Sequence, residues 1–291
     1  MKTIKALIND ELLSRASTRS VIRDEVIEDT YYNHPELERI DNELLALRGS
    51  RMLSIFDKKY EANSAIDVRE MELRQERKAY ILSHEINPDF DEEVSICSKC
   101  NDNGFITARN GRKVVCASCM NELLEECFEA SGMSDYSSYK LNNLKLNYFD
   151  NKKAREKSFN AIKKLFEEGT EGKPLRIYYD LAQTGKTFLS VILTKYAIVE
   201  GNSAYYIKTE DLRNIDDSVK TDLKKCDMLI FDDYSPELTR NWYIASSLNM
   251  ILEARSASDR PTVLVTSVPK EELVANSDAR IALKIKRSDM V

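Results

Sequence analysis

The sequence predicts an α/β protein in which a parallel sheet covered by helices follows a helical N-terminal region and a small four-cysteine module. Three observations predict this architecture. Residues 1–93 place apolar positions at helical spacing, two Cys-x2-Cys pairs follow, and short apolar runs alternate with helical segments after Pro174. Such alternation is typical of a parallel sheet with helices on its faces. A chain of 291 residues is long enough for about two domains.

The composition is typical of a globular protein. Charged residues make up 32% of the chain and the formal net charge is -6, which excludes a globally basic nucleic-acid coat. No run approaches the roughly 18 apolar residues of a membrane span. Asn9, Asp10 and Glu11 interrupt the first apolar residues before a signal-peptide core could form. We therefore expect a cytoplasmic protein without a membrane partner.

Residues 1–93 are expected to form two or three amphipathic helices. One helix is predicted to begin after His34-Pro35, because an apolar stripe at helical spacing follows. That stripe comprises Leu37, Ile40, Leu44 and Leu47. A second helix-like segment covers residues 65–86. The helices could pack on one another or form an arm that docks a partner, and spacing alone leaves both possibilities open.

Two Cys-x2-Cys pairs separated by fifteen residues predict a zinc module within residues 94–132. The four candidate ligands are Cys97, Cys100, Cys116 and Cys119. This spacing lets two knuckles present four thiolates to one tetrahedral zinc, and four protein ligands leave no open position for chemistry, so the role is structural. The alternative is a set of four unrelated buried thiols. Gly104 and Gly111 lie where a short hairpin must turn.

A short helix over residues 121–131, closed by Gly132, is predicted to follow the cysteine module. Residues 133–150 are expected to be a linker. Cys127 and Cys226 fit no ligand pattern and are expected to lie in the core.

Residues 151–291 are predicted to form the α/β domain. A first helix with one apolar side should run from about Ala154 to Gly169. The four expected strands are LRIYY, AYYIK, DMLIF and PTVLVTS, and the helices among them are KTFLSVILTKYAIVE and RNWYIASSLNMILEAR.

Gly185, Lys186 and Thr187 stand between a predicted strand and a helix, where a Walker A phosphate-binding loop ends. In such a loop, backbone N–H groups face the phosphates, the lysine reaches the β and γ oxygens, and the threonine hydroxyl ligates magnesium. The sequence departs from the full pattern at two positions. Asp180 occupies the place of the first glycine and puts a carboxylate near the polyphosphate, and Gln183 replaces a further glycine common in related loops.

The strand MLIF ends in Asp232-Asp233, the Walker B arrangement. Asp232 is expected to hold magnesium, and Asp233 to orient or deprotonate the attacking water. An ordinary acidic strand end is the alternative for this motif alone. The two motifs together predict a nucleotide-binding fold that binds ATP and Mg²⁺, because a strand, GKT and a helix are followed by an apolar strand that ends in two aspartates. Whether ATP is hydrolysed stays open.

Together these motifs resemble the DnaC/DnaI-type helicase loaders of bacteria and phages, which are AAA+ ATPases related to the IstB transposition ATPases. The resemblance covers most of residues 60–291 and is carried by CSKCNDNGFI, by the GKTFL helix and by the run from FDDYSPELTR to VTSVPKEEL. It implies an AAA+ P-loop domain with a polar sensor residue at Ser267, where the family usually has asparagine. It also implies that Arg280 is supplied in trans to a neighbour's nucleotide, hence a homo-oligomer when ATP is bound. Lys284 stands where a second arginine is usual.

The resemblance implies a DNA replication function, in which the N-terminal part binds the replicative helicase and the AAA+ part helps place it on single-stranded DNA. Residues 209–226 are shorter than the family's segment thought to engage single strands. Lys208, Lys220, Lys224 and Lys225 could line a groove there or form a solvated face. Two alternatives remain: a nucleotide-independent adaptor with a degenerate phosphate loop, and an IstB-like ATPase that delivers DNA to a transposase.

Overall fold

The computed structural model describes residues 3–56, 63–139, 175–182 and 184–290. The chain divides into two compact units, one formed by Glu11–Asp102 and the other by Met1–Asp10 with Asn103–Val291. The helix predicted over 154–169 lies outside the described residues, as do Gln183 and most of the predicted linker. The predicted domain limits after residues 93, 132 and 150 stay predictions. Among the described helices, none is long and apolar enough to cross a membrane.

The N-terminal region contains three long helices: α1 (Ile4–Asn33), α2 (Pro35–Phe56) and α3 (Asn63–Ser83). Pro35 is the first residue of α2, a position where the missing N–H of proline is tolerated because it would have no partner inside the helix. The helix predicted after His34-Pro35 is confirmed. Its apolar stripe packs on α3, where Leu73 is fully buried together with Ile40 and Leu44.

Charged side chains tie this unit together around Arg77 of α3. The Arg77 guanidinium donates to Asp41 of α2 at 2.7 Å and to Asp91 at 3.0 Å. Tyr31 of α1 donates its hydroxyl to the same Asp41 at 3.0 Å. Arg77 also lies over the ring of Phe90, 5.5 Å from its centroid. The helices therefore pack on each other, as one of the two sequence interpretations expects.

The cysteine-containing segment forms the predicted hairpin, in which β1 (Phe105–Thr107) pairs antiparallel with β2 (Lys113–Val115). Helix α4 (Asn121–Phe128) follows and continues into a π-helical turn, Glu129–Met133, and a 3-10 helix, Ser134–Tyr136. Gly132 has a left-handed backbone with φ of +82°, which confirms a glycine-dependent break at this helix end.

The α/β domain is a five-stranded, wholly parallel sheet flanked by helices, so the predicted fold class is confirmed. The strands are β3 (Leu175–Tyr179), β4 (Ala204–Lys208), β5 (Met228–Asp232), β6 (Thr262–Thr266) and β7 (Asp289–Met290). The helices are α5 (Lys186–Val199), α6 (Asp217–Lys225), α7 (Trp242–Ala257), α8 (Lys270–Asn276) and α9 (Ala279–Arg287). The strand order is β4-β5-β6-β3-β7. All four predicted strands are present, and β7 is an unpredicted fifth.

The apolar runs that predicted the strands form the core. All five residues of β5 and all five of β6 are buried, as expected for central strands covered on both faces. The predicted burial of Cys127 and Cys226 is confirmed, at 6% and 3% exposure. Arg255 of α7 is also fully buried, and its guanidinium donates to the carbonyl oxygens of Leu223 and Cys226, which closes the end of α6 onto the sheet.

We expect Gly132→Ala to destabilise the protein more than Gly111→Ala. Both glycines have left-handed backbones, which costs a residue with a Cβ about 1 kcal/mol. A Cβ on Gly132 would also press into the backbone carbonyl of Tyr206, whereas nothing lies within 4 Å of a Cβ on Gly111. The extra cost at Gly132 should be roughly 2 kcal/mol or more. The unfolding midpoints of both variants measure the difference, and equal midpoints would contradict the close packing of Gly132.

Candidate functional site

The strand order brings the predicted phosphate loop and the predicted Walker B aspartates to one edge of the sheet. Strand β6 lies between β3, which leads into the loop, and β5, which ends at Asp232. The segments after β3 and β5 both pair with the end of β6: the Asp180 N–H donates to the Thr266 carbonyl at 3.3 Å, and the Tyr234 N–H donates to the Val265 carbonyl at 2.9 Å. The carboxyl ends of three neighbouring strands therefore meet at the candidate site, the edge at which open α/β sheets bind ligands.

The side chain of Lys186 folds back into the predicted phosphate loop that precedes it. Gly185 caps α5 with a φ of +81°, a conformation that favours glycine, and Lys186 begins the helix. Lys186 is only 6% exposed, and its ammonium donates to the carbonyl oxygens of Asp180, at 3.0 Å, and Leu181. Burial lowers the pKa of Lys186, and the negative charges of Asp180, Asp232 and Asp233 oppose that effect.

The carboxylate of Asp180 is engaged within its own loop. Its Oδ1 accepts the N–H of Leu181 at 2.8 Å, and Thr184 donates its hydroxyl to the Leu181 carbonyl at 3.0 Å. The residue that departs from the glycine pattern thus contributes an acceptor to the loop conformation. Its charge also favours the protonated form of Lys186.

Asp232 is fully buried and has one oxygen available for a ligand. Its Oδ2 accepts the hydroxyl of Tyr206 at 2.8 Å. Its Oδ1 is buried without a hydrogen-bond partner in the described part of the chain. Burial raises the pKa of Asp232, and the hydroxyls of Thr187 and Tyr206 oppose the rise. A buried carboxylate oxygen beside a threonine hydroxyl is the kind of donor set that Mg²⁺ prefers, so these residues fit the predicted cation.

The carboxyl edge of the sheet, where β5 and β6 end, also carries Asp233, Thr266 and Ser267. Asp233 is exposed and has a left-handed backbone with φ of +50°, which turns the chain away from β5. The Thr266 hydroxyl donates to the Tyr234 carbonyl at 2.7 Å and accepts the Val268 N–H at 3.0 Å. Ser267 follows and is exposed. Sequence reasoning selected Ser267 and Asp233, but it missed the buried Thr266 that fixes the turn beside them.

Arg280 lies in the first turn of α9 and is exposed. Asp278 caps this helix by accepting the Arg280 N–H at 3.0 Å, and Asn249 of α7 donates to the same carboxylate oxygen at 3.1 Å. The described contacts do not join Arg280 to Lys186 or Asp232. Its role toward a neighbouring protomer stays a prediction, and so does the role of Lys284, which is half-buried on the same helix.

Two of the four lysines that could line a single-strand groove, Lys208 and Lys220, lie beside acidic groups. Lys220 pairs with Asp217 at 3.0 Å. Lys208 lines a cavity of about 310 Å³ beside β4, whose wall also carries three carboxylates, those of Asp135, Glu210 and Asp211. These carboxylates make the cavity unfavourable for phosphates, and the groove lined by the four lysines stays a prediction. Lys224 is half-buried and Lys225 exposed at the end of α6.

The four predicted zinc ligands form a compact cluster within the short stretch of residues 97–119. Their sulfur atoms all lie within 4.8 Å of one another, and three of the four residues are buried. Zinc with bonds of about 2.3 Å holds tetrahedral sulfur ligands roughly 3.8 Å apart. The cluster is therefore compatible with one zinc ion, and the alternative of four unrelated thiols does not fit.

Asp102 accepts backbone N–H groups at the first cysteine of the cluster. This carboxylate is buried and accepts the N–H groups of Ile96 at 2.8 Å and Cys97 at 2.9 Å. Arg19 of α1 donates to it at 2.8 Å. Burial alone would raise the pKa of Asp102, but these hydrogen bonds lower it below its usual range. Sequence reasoning missed Asp102, and no short motif around it identifies the role.

No protein-family model matches this sequence, and no curated protein matches it. Among solved structures, AMPPCP-bound DnaA from Aquifex aeolicus is 16% identical, with a TM-score of 0.43 over 51% of this chain and 50% of that one. DnaA bound to AMPPCP and single-stranded DNA is 15% identical, with a TM-score of 0.41 over 51% and 50%. DnaI is 18% identical, with a TM-score of 0.43 over 57% of this chain and 92% of that one. This chain therefore spans about half the length of the two DnaA chains.

We expect the purified protein to contain one zinc ion per chain, and Asp102→Ala to weaken its retention by about 10- to 100-fold, as removal of groups that orient metal ligands typically does. Competition with a chromogenic chelator measures the affinity. Glu92→Ala, which removes an exposed carboxylate near the module, is the matched control and should bind like the unaltered protein. Absence of stoichiometric zinc in elemental analysis would contradict the assignment of the cluster.

Proposed function

We propose that this protein is an AAA+ helicase loader that binds ATP with Mg²⁺ and helps place a replicative helicase on single-stranded DNA. The observation that carries the nucleotide part is the meeting, at one sheet edge, of the buried ammonium of Lys186 and the buried carboxylate of Asp232. The resemblance of the sequence motifs to the DnaC/DnaI-type loaders supports the assignment to helicase loading.

In this proposal, the residues at the carboxyl edge of the sheet bind the phosphates of ATP, the magnesium ion and a water molecule. Lys186 and the N–H groups at the start of α5 bind the β- and γ-phosphates. Thr187 and Asp232 hold the magnesium ion, which neutralises phosphate charge when bound. Asp233 is exposed, which lets it orient a water molecule, and Ser267 offers a hydroxyl at the end of the central strand β6.

Burial favours nucleotide binding over the adaptor alternative. An adaptor that had kept only the fold would gain nothing from a buried carboxylate oxygen without a partner, because an unsatisfied buried polar group destabilises a protein. The unpaired Oδ1 of Asp232 is explained when a cation occupies the position beside it. A triphosphate would give the Lys186 ammonium charged partners in place of the carbonyl oxygens of Asp180 and Leu181.

The N-terminal helices supply the proposed helicase-binding part. Helix α1 exposes five large apolar or aromatic side chains: Leu13, Val21, Ile22, Val26 and Tyr32. In this proposal they contact the helicase, since apolar and aromatic side chains form the buried centre of protein–protein interfaces. The four-cysteine module would keep the following segment folded. Arg280 would act on the nucleotide of a neighbouring protomer, so the ATP-bound form is proposed to be an oligomer.

We expect Lys186→Ala to weaken binding of a fluorescent ATP analogue by about 100-fold, because charge-assisted hydrogen bonds to phosphate are each worth about 1.5–3 kcal/mol. Lys220→Ala, which removes an ammonium already paired with Asp217, should bind normally and is the matched control. Fluorescence titration in Mg²⁺ buffer measures both. Failure of the unaltered protein to bind the analogue would favour the nucleotide-independent adaptor.

We expect the protein to form a complex with the replicative helicase of its source, detectable by co-purification at micromolar concentration. Native mass spectrometry with and without ATP would report the stoichiometry and the bound nucleotide together. ATP should increase the number of copies of this chain per helicase ring, because Arg280 is proposed to bridge protomers. Lack of a complex under both conditions would contradict helicase loading, and a complex with a transposase instead would favour the IstB-like alternative.

A further inference from the structure

A chain of hydrogen bonds runs from the segment after the cysteine module to the Walker B carboxylate. The hydroxyls of Tyr136 and Tyr206 lie 3.2 Å apart, and Tyr206 donates to Asp232 Oδ2 at 2.8 Å. Tyr206 is only 1% exposed, and the two tyrosine rings meet edge to face with centroids 5.2 Å apart. These contacts link residues that are 70 and 26 positions apart in sequence.

The segment that carries Tyr136 is attached to the phosphate-loop helix as well. Lys195 of α5 is 5% exposed and donates its ammonium to the backbone carbonyls of Tyr136, at 2.9 Å, and Tyr139, at 3.0 Å. On the other side, Gly132 packs against the backbone of Tyr206 so closely that a Cβ would not fit. One short segment thus contacts both the helix that begins with Lys186 and the strand that neighbours β5.

The hydrogen bond from Tyr206 determines which oxygen of Asp232 remains for a cation. A carboxylate that accepts a bond at Oδ2 cannot rotate freely, so Oδ1 keeps a fixed direction. Groups that hold a metal ligand in this way raise its affinity by limiting the orientations that it must give up on binding. Tyr136 restricts Tyr206 by the same logic, since its hydroxyl and ring both contact the Tyr206 side chain.

We propose that Tyr206 is a positioning residue for Asp232, and that Tyr136 holds Tyr206 so that the segment after the cysteine module sets the affinity of the site for Mg²⁺ with nucleotide. This inference rests on the proposed function, in which Asp232 holds the magnesium ion. It assigns a role to two tyrosines outside the Walker motifs.

The experiment compares Tyr206→Phe with Tyr205→Phe in the full-length protein. Each variant loses one hydroxyl from a buried tyrosine of β4, but Tyr205 packs in the apolar core on the other face of the strand, and no described hydrogen bond joins it to Asp232. A fluorescent ATP analogue is titrated at increasing Mg²⁺ and again in EDTA. We expect Tyr206→Phe to raise the Mg²⁺ concentration needed for tight binding about 10-fold. Its affinity in EDTA should be unchanged, and Tyr205→Phe should behave like the unaltered protein.

Tyr136→Phe provides a second, milder variant that keeps the Tyr206–Asp232 bond. We expect about a 3-fold rise in the required Mg²⁺, and no further rise when this change is added to Tyr206→Phe, because the two residues act through one contact. Additive effects, or an unaltered Mg²⁺ requirement in Tyr206→Phe, would overturn the inference while leaving the proposed function intact. If the unaltered protein binds the analogue equally with Mg²⁺ and EDTA, the magnesium role of Asp232 fails and both proposals fall.

Discussion

Burial of the Asp232 carboxylate at the end of an apolar strand is the constraint on which the candidate site depends. Burial of such a group is unfavourable unless hydrogen bonds or a cation compensate, and it raises the pKa of Asp232. Three neighbouring groups stabilise the buried carboxylate. Tyr206 donates from the adjacent strand β4, Thr187 contributes its hydroxyl from α5, and Lys186 places a positive charge nearby.

Local signals in the sequence were sufficient for the elements that define the fold. Strands β3 and β4 coincide with the predicted runs LRIYY and AYYIK, because their mostly apolar residues are buried or half-buried between the helices and the flanking polar residues end them. The helix that begins at Lys186 was also predictable, because Gly185-Lys186-Thr187 follows a strand and precedes an apolar helical segment. The two-residue strand β7 is too short to produce any pattern, so it could not be predicted.

Contacts between distant positions account for what the sequence did not reveal. In the sequence, Tyr206 looks like one more core residue of a strand. Its hydrogen bond to Asp232 depends on the pairing of β4 with β5. Tyr136 falls in a polar stretch that the sequence predicts as a linker, and the close packing of Gly132 on β4 and the hydrogen bond from Lys195 to the Tyr136 carbonyl bring it to the site. Asp102 is similar, since Arg19, 83 positions earlier in the sequence, donates to its buried carboxylate.

Asp180, which replaces a glycine in the predicted phosphate loop, supports the loop conformation and the charge of Lys186. From sequence, a carboxylate in place of glycine argues for lost nucleotide binding, because it would repel phosphates. In the structure, that carboxylate accepts the Leu181 N–H, and the Asp180 carbonyl accepts the Lys186 ammonium. The negative charge of Asp180 also opposes the effect of burial on the pKa of Lys186. Asp180 thus favours the charged form of Lys186, which is the form that the proposed phosphate site requires.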